Sequence, residues 1–210
     1  MEPNLIKFEK PFSYKNNYAL RFEIGPNDVN LWRDGSSKTF NEEYFSIALN
    51  RAKAIYESVF SPDDKISVVF QIYSDGRKRI KKRSLLFKSI HCKDSSKISY
   101  SLHRDIYVDR LNRKRQHIAR VRIIDLATAQ IDITNILTAI INTDFKRYPA
   151  LNGECYIINN TTGLVFHLYD DRGLDVVSEN KESLHELYQT HSELILAHDR
   201  NRILNMFSQI

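Results

Sequence analysis

Gly163-Leu164-Val165-Phe166-His167-Leu168-Tyr169-Asp170-Asp171-Arg172-Gly173-Leu174-Asp175 is the stretch on which the fold turns. Leu164, Phe166 and Leu168 alternate with Val165, His167 and Tyr169, the period of two that marks a strand. Asp170, Asp171, Arg172 and Gly173 then supply turn chemistry, with Gly173 suited to a positive φ and Asp170 to capping the turn. Leu174, Val176 and Val177 resume an apolar strand, which Ser178-Glu179-Asn180 ends ahead of a helix over residues 181–188. The pattern predicts a β-hairpin with a charged tip. On such an alternating strand His167 is the solvent-facing member, while Asp175 either joins the tip charges or points to water.

Outward from the hairpin, a strand is expected at residues 18–24, followed by a helix over 41–60. Tyr44, Phe45, Ala48, Ala52, Ile55, Tyr56 and Val59 recur at spacings of three and four, one continuous apolar face. Residues 66–73 form a β-branched and aromatic run that reads as a strand buried on both faces. Residues 85–90 read equally as a short helix or a strand. Strands at 99–108 and 117–124 place residues 110–115 at the tip of their connection. An amphipathic helix at 133–145 and a strand at 154–158 lead into the final meander. Together these predict a single α+β domain over residues 1–210, mainly antiparallel sheet, its C-terminal hairpin packed by helices.

Tyr169-Asp170-Asp171-Arg172-Gly173-Leu174-Asp175-Val176-Val177, followed by Leu184, Leu187-Tyr188, His198-Asp199-Arg200, Ile203 and Phe207, resembles the C-terminal pattern of the bacterial domain-of-unknown-function family 3885. There a Y-D-D-R-G-x-D strand-turn-strand precedes an L-x-x-L-Y helix and a D-R-x-x-I end. The resemblance is firm over residues 150–210 and extends upstream by general pattern, as in Leu20-Arg21-Phe22-Glu23-Ile24-Gly25. His198 departs from it. The resemblance implies a small bacterial cytoplasmic protein, and by association a toxin-neutralising (immunity) protein.

Composition narrows the classes. Hydrophobic residues make up 42% and charged residues 27% of 210 positions, ordinary for a folded chain with one core. Cys92 and Cys155 are too few for a disulfide framework or a zinc set, which reads as a reduced, cytoplasmic protein. No run approaches the roughly 20 apolar residues that span a bilayer, and residues 1–8 lack a signal-peptide core, so no membrane partner is expected. The six glycines fall at element boundaries and form no phosphate cradle, and no cofactor motif is present.

The net charge of +5 hides a lopsided distribution. Residues 77–122 hold 16 Lys and Arg against three acids, whereas residues 150–210 hold nine acids and four bases. The basic positions gather in two clusters: Arg77, Lys78, Arg79, Lys81, Lys82 and Arg83, then Arg110, Arg113, Lys114 and Arg115. Such a protein attracts a phosphate polymer or an acidic surface. The bland alternative is a pair of solvated loops, and Phe70, Tyr73, Phe87, Tyr100 and Tyr107 lie on strand-like patterns that predict burial rather than base stacking.

Catalytic constellations are sparse. His103-Arg104-Asp105 mimics a kinase loop, yet Arg110 stands where the metal-binding Asn is needed and no glycine-rich loop accompanies it. His167 with Asp170 is the one candidate acid-base pair for a hydrolase, and Asp170, Asp171 and Asp175 are candidate ligands of a divalent ion. Against both, tight turns favour aspartate without either function. A third option has Asp171 and Arg172 locking the hairpin to the next helix. The leading expectation is a non-enzymatic protein-binding module, with an immunity protein as its specific form, contacting its partner through Asp170, Asp171, Arg172, Asp175 and Glu179. The alternatives are nucleic-acid binding through the basic clusters and hydrolysis at His167.

Overall fold

The computed structural model describes residues 6–34, 38–81, 84–104 and 117–208. In chain order the elements are α1 (Phe12–Lys15), β1 (Tyr18–Glu23), α2 (Glu42–Val59), β2 (Lys65–Ser74), α3 (Leu85–Ser89), β3 (Ile98–Arg104), β4 (His117–Ala127), α4 (Ile133–Ile141), β5 (Glu154–Asn159), β6 (Val165–Leu168), β7 (Gly173–Ser178), α5 (His185–Thr190) and α6 (Arg200–Phe207). The strands form one seven-stranded sheet in the order β1-β7-β6-β5-β2-β4-β3, with every neighbouring pair antiparallel. The fold is α+β, as the patterning requires.

Helix α2 starts where its chemistry directs. The Asn41 side chain accepts from the Glu43 amide at 3.2 Å, and Glu42 and Glu43 in the first turn complement the helix dipole. Its buried residues are the seven that the spacing picks out, and Ala48 and Ala52 at 0% exposure bring the helix axis close to its neighbours. With α4, which packs beside it, α2 covers one face of the sheet, meeting Leu20, Phe22, Val68, Phe166 and Val176 in the main core.

Central position explains β2. It pairs with β4 on one side and β5 on the other, and Ile66 to Gln71 are all buried. Tyr73 breaks the expectation, because near the strand end its side chain emerges on the second face and is 61% exposed. Phe87 and Tyr100 are half-buried, Phe70 is buried, and Tyr107 lies outside the described residues. Residues 85–89 are a helix, α3. The expected 133–145 helix is α4 followed by a 3-10 turn, Thr143–Phe145.

The second face is covered over only part of its width. The segment from Ile6 through α1 lies across β1, β7, β6 and β5, making a smaller cluster of Phe12, Ala19, Val69, Tyr156, Val165 and Val177 with Ile6, Phe8 and Ile158. Under it every residue of β6 and β7 is buried. His167 is therefore not solvent-facing: it is 2% exposed, stacked on Tyr156 with ring centroids 4.2 Å apart and edged by Phe12. Alternation marks which side a residue faces; it does not say whether that side is covered.

Replacing Ala52 by Leu forces extra volume between α2 and its neighbours, and urea unfolding is expected to show a loss of about 1–3 kcal/mol. Glu57→Ala, on the exposed side of α2, should stay within about 0.5 kcal/mol of the wild type.

Candidate functional site

The hairpin turn is built by its own side chains. Asp170 Oδ1 accepts from the amides of Arg172 at 2.8 Å and Gly173 at 2.9 Å, capping the turn, and Asp170 Oδ2 meets Arg172 Nη2 at 3.1 Å. Asp171 turns inward and takes a 2.5 Å hydrogen bond from the Tyr44 hydroxyl of α2. The hairpin is thus locked to a helix, through Tyr44 rather than through an Asp171–Arg172 pair. Burial raises the Asp171 carboxyl above its usual range, against the pull of Tyr44. Gly173 does not have the positive φ its position suggests; a Cβ there would lie 1.8 Å from the Tyr169 hydroxyl. The glycine makes room for a ring.

That ring belongs to a cage around Arg21. Arg21 Nε donates to the Tyr169 hydroxyl at 3.1 Å and Nη1 to the Tyr14 hydroxyl at 3.2 Å, and Tyr14 donates to Asp199 Oδ1 at 2.8 Å. Asp175, opposite Arg21 in the ladder, lies 3.8 Å away and accepts from the Ser13 amide at 3.1 Å; Asp199 Oδ2 lies 3.9 Å from Arg21. Asp175 is 3% exposed, so it neither joins the tip charges nor reaches water. Burial raises its carboxyl above the usual range, while His167 and Arg21 oppose the shift. Asp199 stands at the start of α6 but makes no side-chain cap; it faces the cage, where Arg202 also reaches it at 3.4 Å.

From the cage a polar row crosses the second face. Arg21 is opposite Asp175 and Asp175 opposite His167, while Glu154 is opposite Gln71, Gln71 opposite Arg120, and Arg120 opposite Ser101. His167 Nδ1 lies 3.0 Å from the Cys155 carbonyl oxygen, which only accepts, so Nδ1 carries a proton and Nε2 faces Glu154 Oε2 at 3.2 Å. Burial pushes Glu154 up, but His167 and Lys10, whose ammonium is 2.5 Å away, outweigh it and hold the carboxyl below its usual range. Burial also pushes the Cys155 thiol up to about 12, which leaves it an unreactive core group.

Beyond Glu154 the covering segment ends and the face opens into a cleft of about 1000 Å³. Arg120, Gln71, Tyr73 and His103 line it from the sheet, and Arg77, Arg79 and Lys81 from the segment after β2. Arg77, Lys78, Arg79 and Lys81 are exposed, as are Arg122 and Ser99, which pair with each other farther along the sheet. The structure therefore gathers half of the first basic cluster onto one open face. Lys82, Arg83, Arg110, Arg113, Lys114 and Arg115 lie outside the described residues.

The other candidates scatter. Asp170 is partly exposed, Arg172 and Glu179 are exposed, and Asp171 and Asp175 are buried, so two of the five positions expected to meet a partner present no surface to one. His167 and Asp170 are not brought together, because His167 faces Glu154 and Asp170 serves the turn. Asp170 and Asp171 do converge with a third carboxylate, but it is Asp144 instead of Asp175. Sequence reasoning missed Arg21, Tyr14 and Glu154; the signal for Arg21 is a cation between Leu20 and Phe22 on a strand, which calls for a counter-charge where the strand is covered.

The sequence profile described as Domain of unknown function (DUF3885) matches residues 1–199. The chain belongs to the DUF3885 family. The match spans the N-terminal strap, the Arg21 strand and the hairpin, so the likeness seen over the last quarter is the end of one that runs nearly the whole length. An uncharacterized protein of Bacillus subtilis (strain 168), YnaE, is 21% identical over 186 residues, covering 84% of this chain and 85% of YnaE. No solved structure matches the chain. No helix among the described residues is long and apolar enough to cross a membrane.

Two outcomes follow for this DUF3885 chain. Gly173→Ala should destabilise by about 1–3 kcal/mol through the clash with Tyr169, and Tyr169→Ala in the same chain should remove most of the glycine's effect, a non-additivity read by a double-mutant cycle. Glu154 holds its proton less tightly folded than unfolded, so its contribution is present above pH 4.5 and lost as pH falls through the lower folded value. Glu154→Gln should lower stability at pH 7 by about 1–3 kcal/mol, a deficit that closes below pH 4.5 in denaturation curves.

Proposed function

We propose that the protein is a non-enzymatic cytoplasmic binding protein whose contact surface is the uncovered, basic part of the sheet, and that its ligand is single-stranded nucleic acid. The observation that carries this reading is Tyr73. The patterning speaks against nucleic acid because it places the aromatics near the basic cluster in the core; Tyr73 instead stands 61% exposed in the cleft that Arg77, Arg79 and Lys81 border. An exposed ring beside several cations on an open antiparallel sheet supplies both parts of a single-strand site: a stacking platform and phosphate contacts. The burial of Asp171 and Asp175 removes the centre of the acidic surface on which a hairpin-mediated protein contact would rest.

A protein partner is the second reading, favoured by the exposed Glu179, Glu182, Glu186 and Glu193 in the acidic C-terminal third. An immunity protein presenting these to a basic toxin would act by charge complementarity.

Affinity for a labelled single-stranded DNA or RNA, measured across about 50 to 200 mM salt, decides between them. Binding is expected to fall steeply with salt, the slope to shrink on neutralising Arg77, Arg79 and Lys81 together, and Tyr73→Ala to weaken binding by about 1–3 kcal/mol without changing the slope. An absence of binding at the lowest salt overturns the nucleic-acid reading and leaves the acidic surface as the contact.

A further inference from the structure

We propose that Arg120 is the specific anion receptor of the open face, taking one phosphate of a nucleotide through its two outer guanidinium nitrogens; the choice of a nucleotide as ligand rests on the nucleic-acid reading above.

Arg120 is held in a way that differs from the other cations around the cleft. Its Nε donates at 2.8 Å to Gln71 Oε1, and Gln71 is itself fixed, because its amide nitrogen donates to the Phe8 carbonyl at 3.1 Å and lies 3.4 Å from the Tyr156 hydroxyl. The guanidinium packs on the Phe8 ring, 5.4 Å from its centroid. One edge of the planar group is thereby anchored by a neutral amide and one face by an aromatic ring. The edge carrying the outer nitrogens, which fits two oxygens of a phosphate side by side, remains.

Charge pairing is what this arginine lacks. Of the other cations lining the cleft, Arg77 is 3.4 Å from Asp75 and Lys10 pairs with Glu154, while Arg79 and Lys81 stand exposed to water rather than held half-buried. Among the described residues Arg120 has no carboxylate within ion-pairing distance, and its outer nitrogens make no hydrogen bond. Glu9, on the exposed strap, and Arg122 act on it only at longer range. A half-buried guanidinium oriented by a fixed neutral side chain, with no acid in direct contact, stays available to an anion and has already lost part of its hydration and side-chain freedom. Burial lowers its proton affinity for the same reason. The cleft lining carries Lys10, Arg77, Arg79 and Lys81 besides Arg120 against Glu9, Asp75 and Glu154, an excess of positive charge that favours an anionic ligand, and Tyr73 in the same cleft offers a face to a base.

The test is titration of the protein with inorganic phosphate, a nucleoside 5′-monophosphate and a short poly-glutamate peptide, followed by amide chemical shifts or calorimetry, beside the single-stranded oligonucleotide. The monophosphate should bind, with shifts on β2 and β4 around Gln71 and Arg120. Arg120→Lys, which keeps the charge but not the two-pronged geometry, should weaken it by about tenfold, and Gln71→Met, which frees the arginine without touching its charge, should weaken it by a smaller factor. The oligonucleotide, held by many phosphates, should lose less from either change. Oligonucleotide binding without monophosphate binding, or monophosphate binding indifferent to both variants, overturns the role of Arg120 and leaves the polymer reading standing. Monophosphate binding that depends on Arg120, with no affinity for the oligonucleotide, upholds the receptor and overturns the polymer reading. Poly-glutamate bound through Arg120 in preference to phosphate overturns the ligand. Thermal unfolding of each variant checks that it folds, and Gln71→Met carries the test if Arg120→Lys does not.

Discussion

A charge taken out of water must be answered by the groups around it, and at Arg21 that demand organises much of the molecule. The guanidinium sits on β1 between two carboxylates and two tyrosine hydroxyls drawn from four other parts of the chain: Tyr14 in α1, Tyr169 at the hairpin turn, Asp175 on β7 and Asp199 ahead of α6. Each partner brings its element with it. Tyr14 fixes the N-terminal strap on the second face, Asp199 draws the last helix to the edge strand, and Tyr169 reaches Arg21 only because Gly173 has no side chain in the way. Buried ion pairs of this kind contribute little net stability relative to apolar packing, but they are strict about geometry, and here they specify which segments meet.

The same strap sets the boundary between scaffold and surface. It is long enough to roof β1, β7, β6 and β5, and its last polar acts are the Lys10 contact with Glu154 and the Phe8 carbonyl's acceptance of Gln71. Past that point the row of polar side chains on the sheet continues into the open cleft. Under the strap His167 and Asp175 are buried; beyond it Arg77, Arg79 and Lys81 face solvent. Asp170, Asp171 and Asp175 of the family-like hairpin accordingly serve the fold, and the exposed cations lie on the same face of the sheet, beyond the strap.

Local patterns were legible where they report local physics. The seven apolar positions of α2 are its buried face, β2 is a central strand, the hairpin forms where its alternation and turn residues place it, and Asp170 caps its turn. The errors share a cause. Placing His167 in water, leaving Asp175 undecided, reading Gly173 as a positive-φ position and burying Tyr73 all required knowing what packs across the sheet face. Alternation assigns a residue to a side and is silent about the cover.

The sequence by itself determined most of the longer elements, the α+β class, the hairpin and the separation of basic and acidic charge, because helical and strand periods and turn chemistry act over a few residues. Only the tertiary structure decided which charges are buried and which are free. That choice depends on contacts between residues as far apart as Ser13 and Asp175 or Gln71 and Arg120, whose pairing arises from strand order and strap placement and leaves no mark in any short window of the chain.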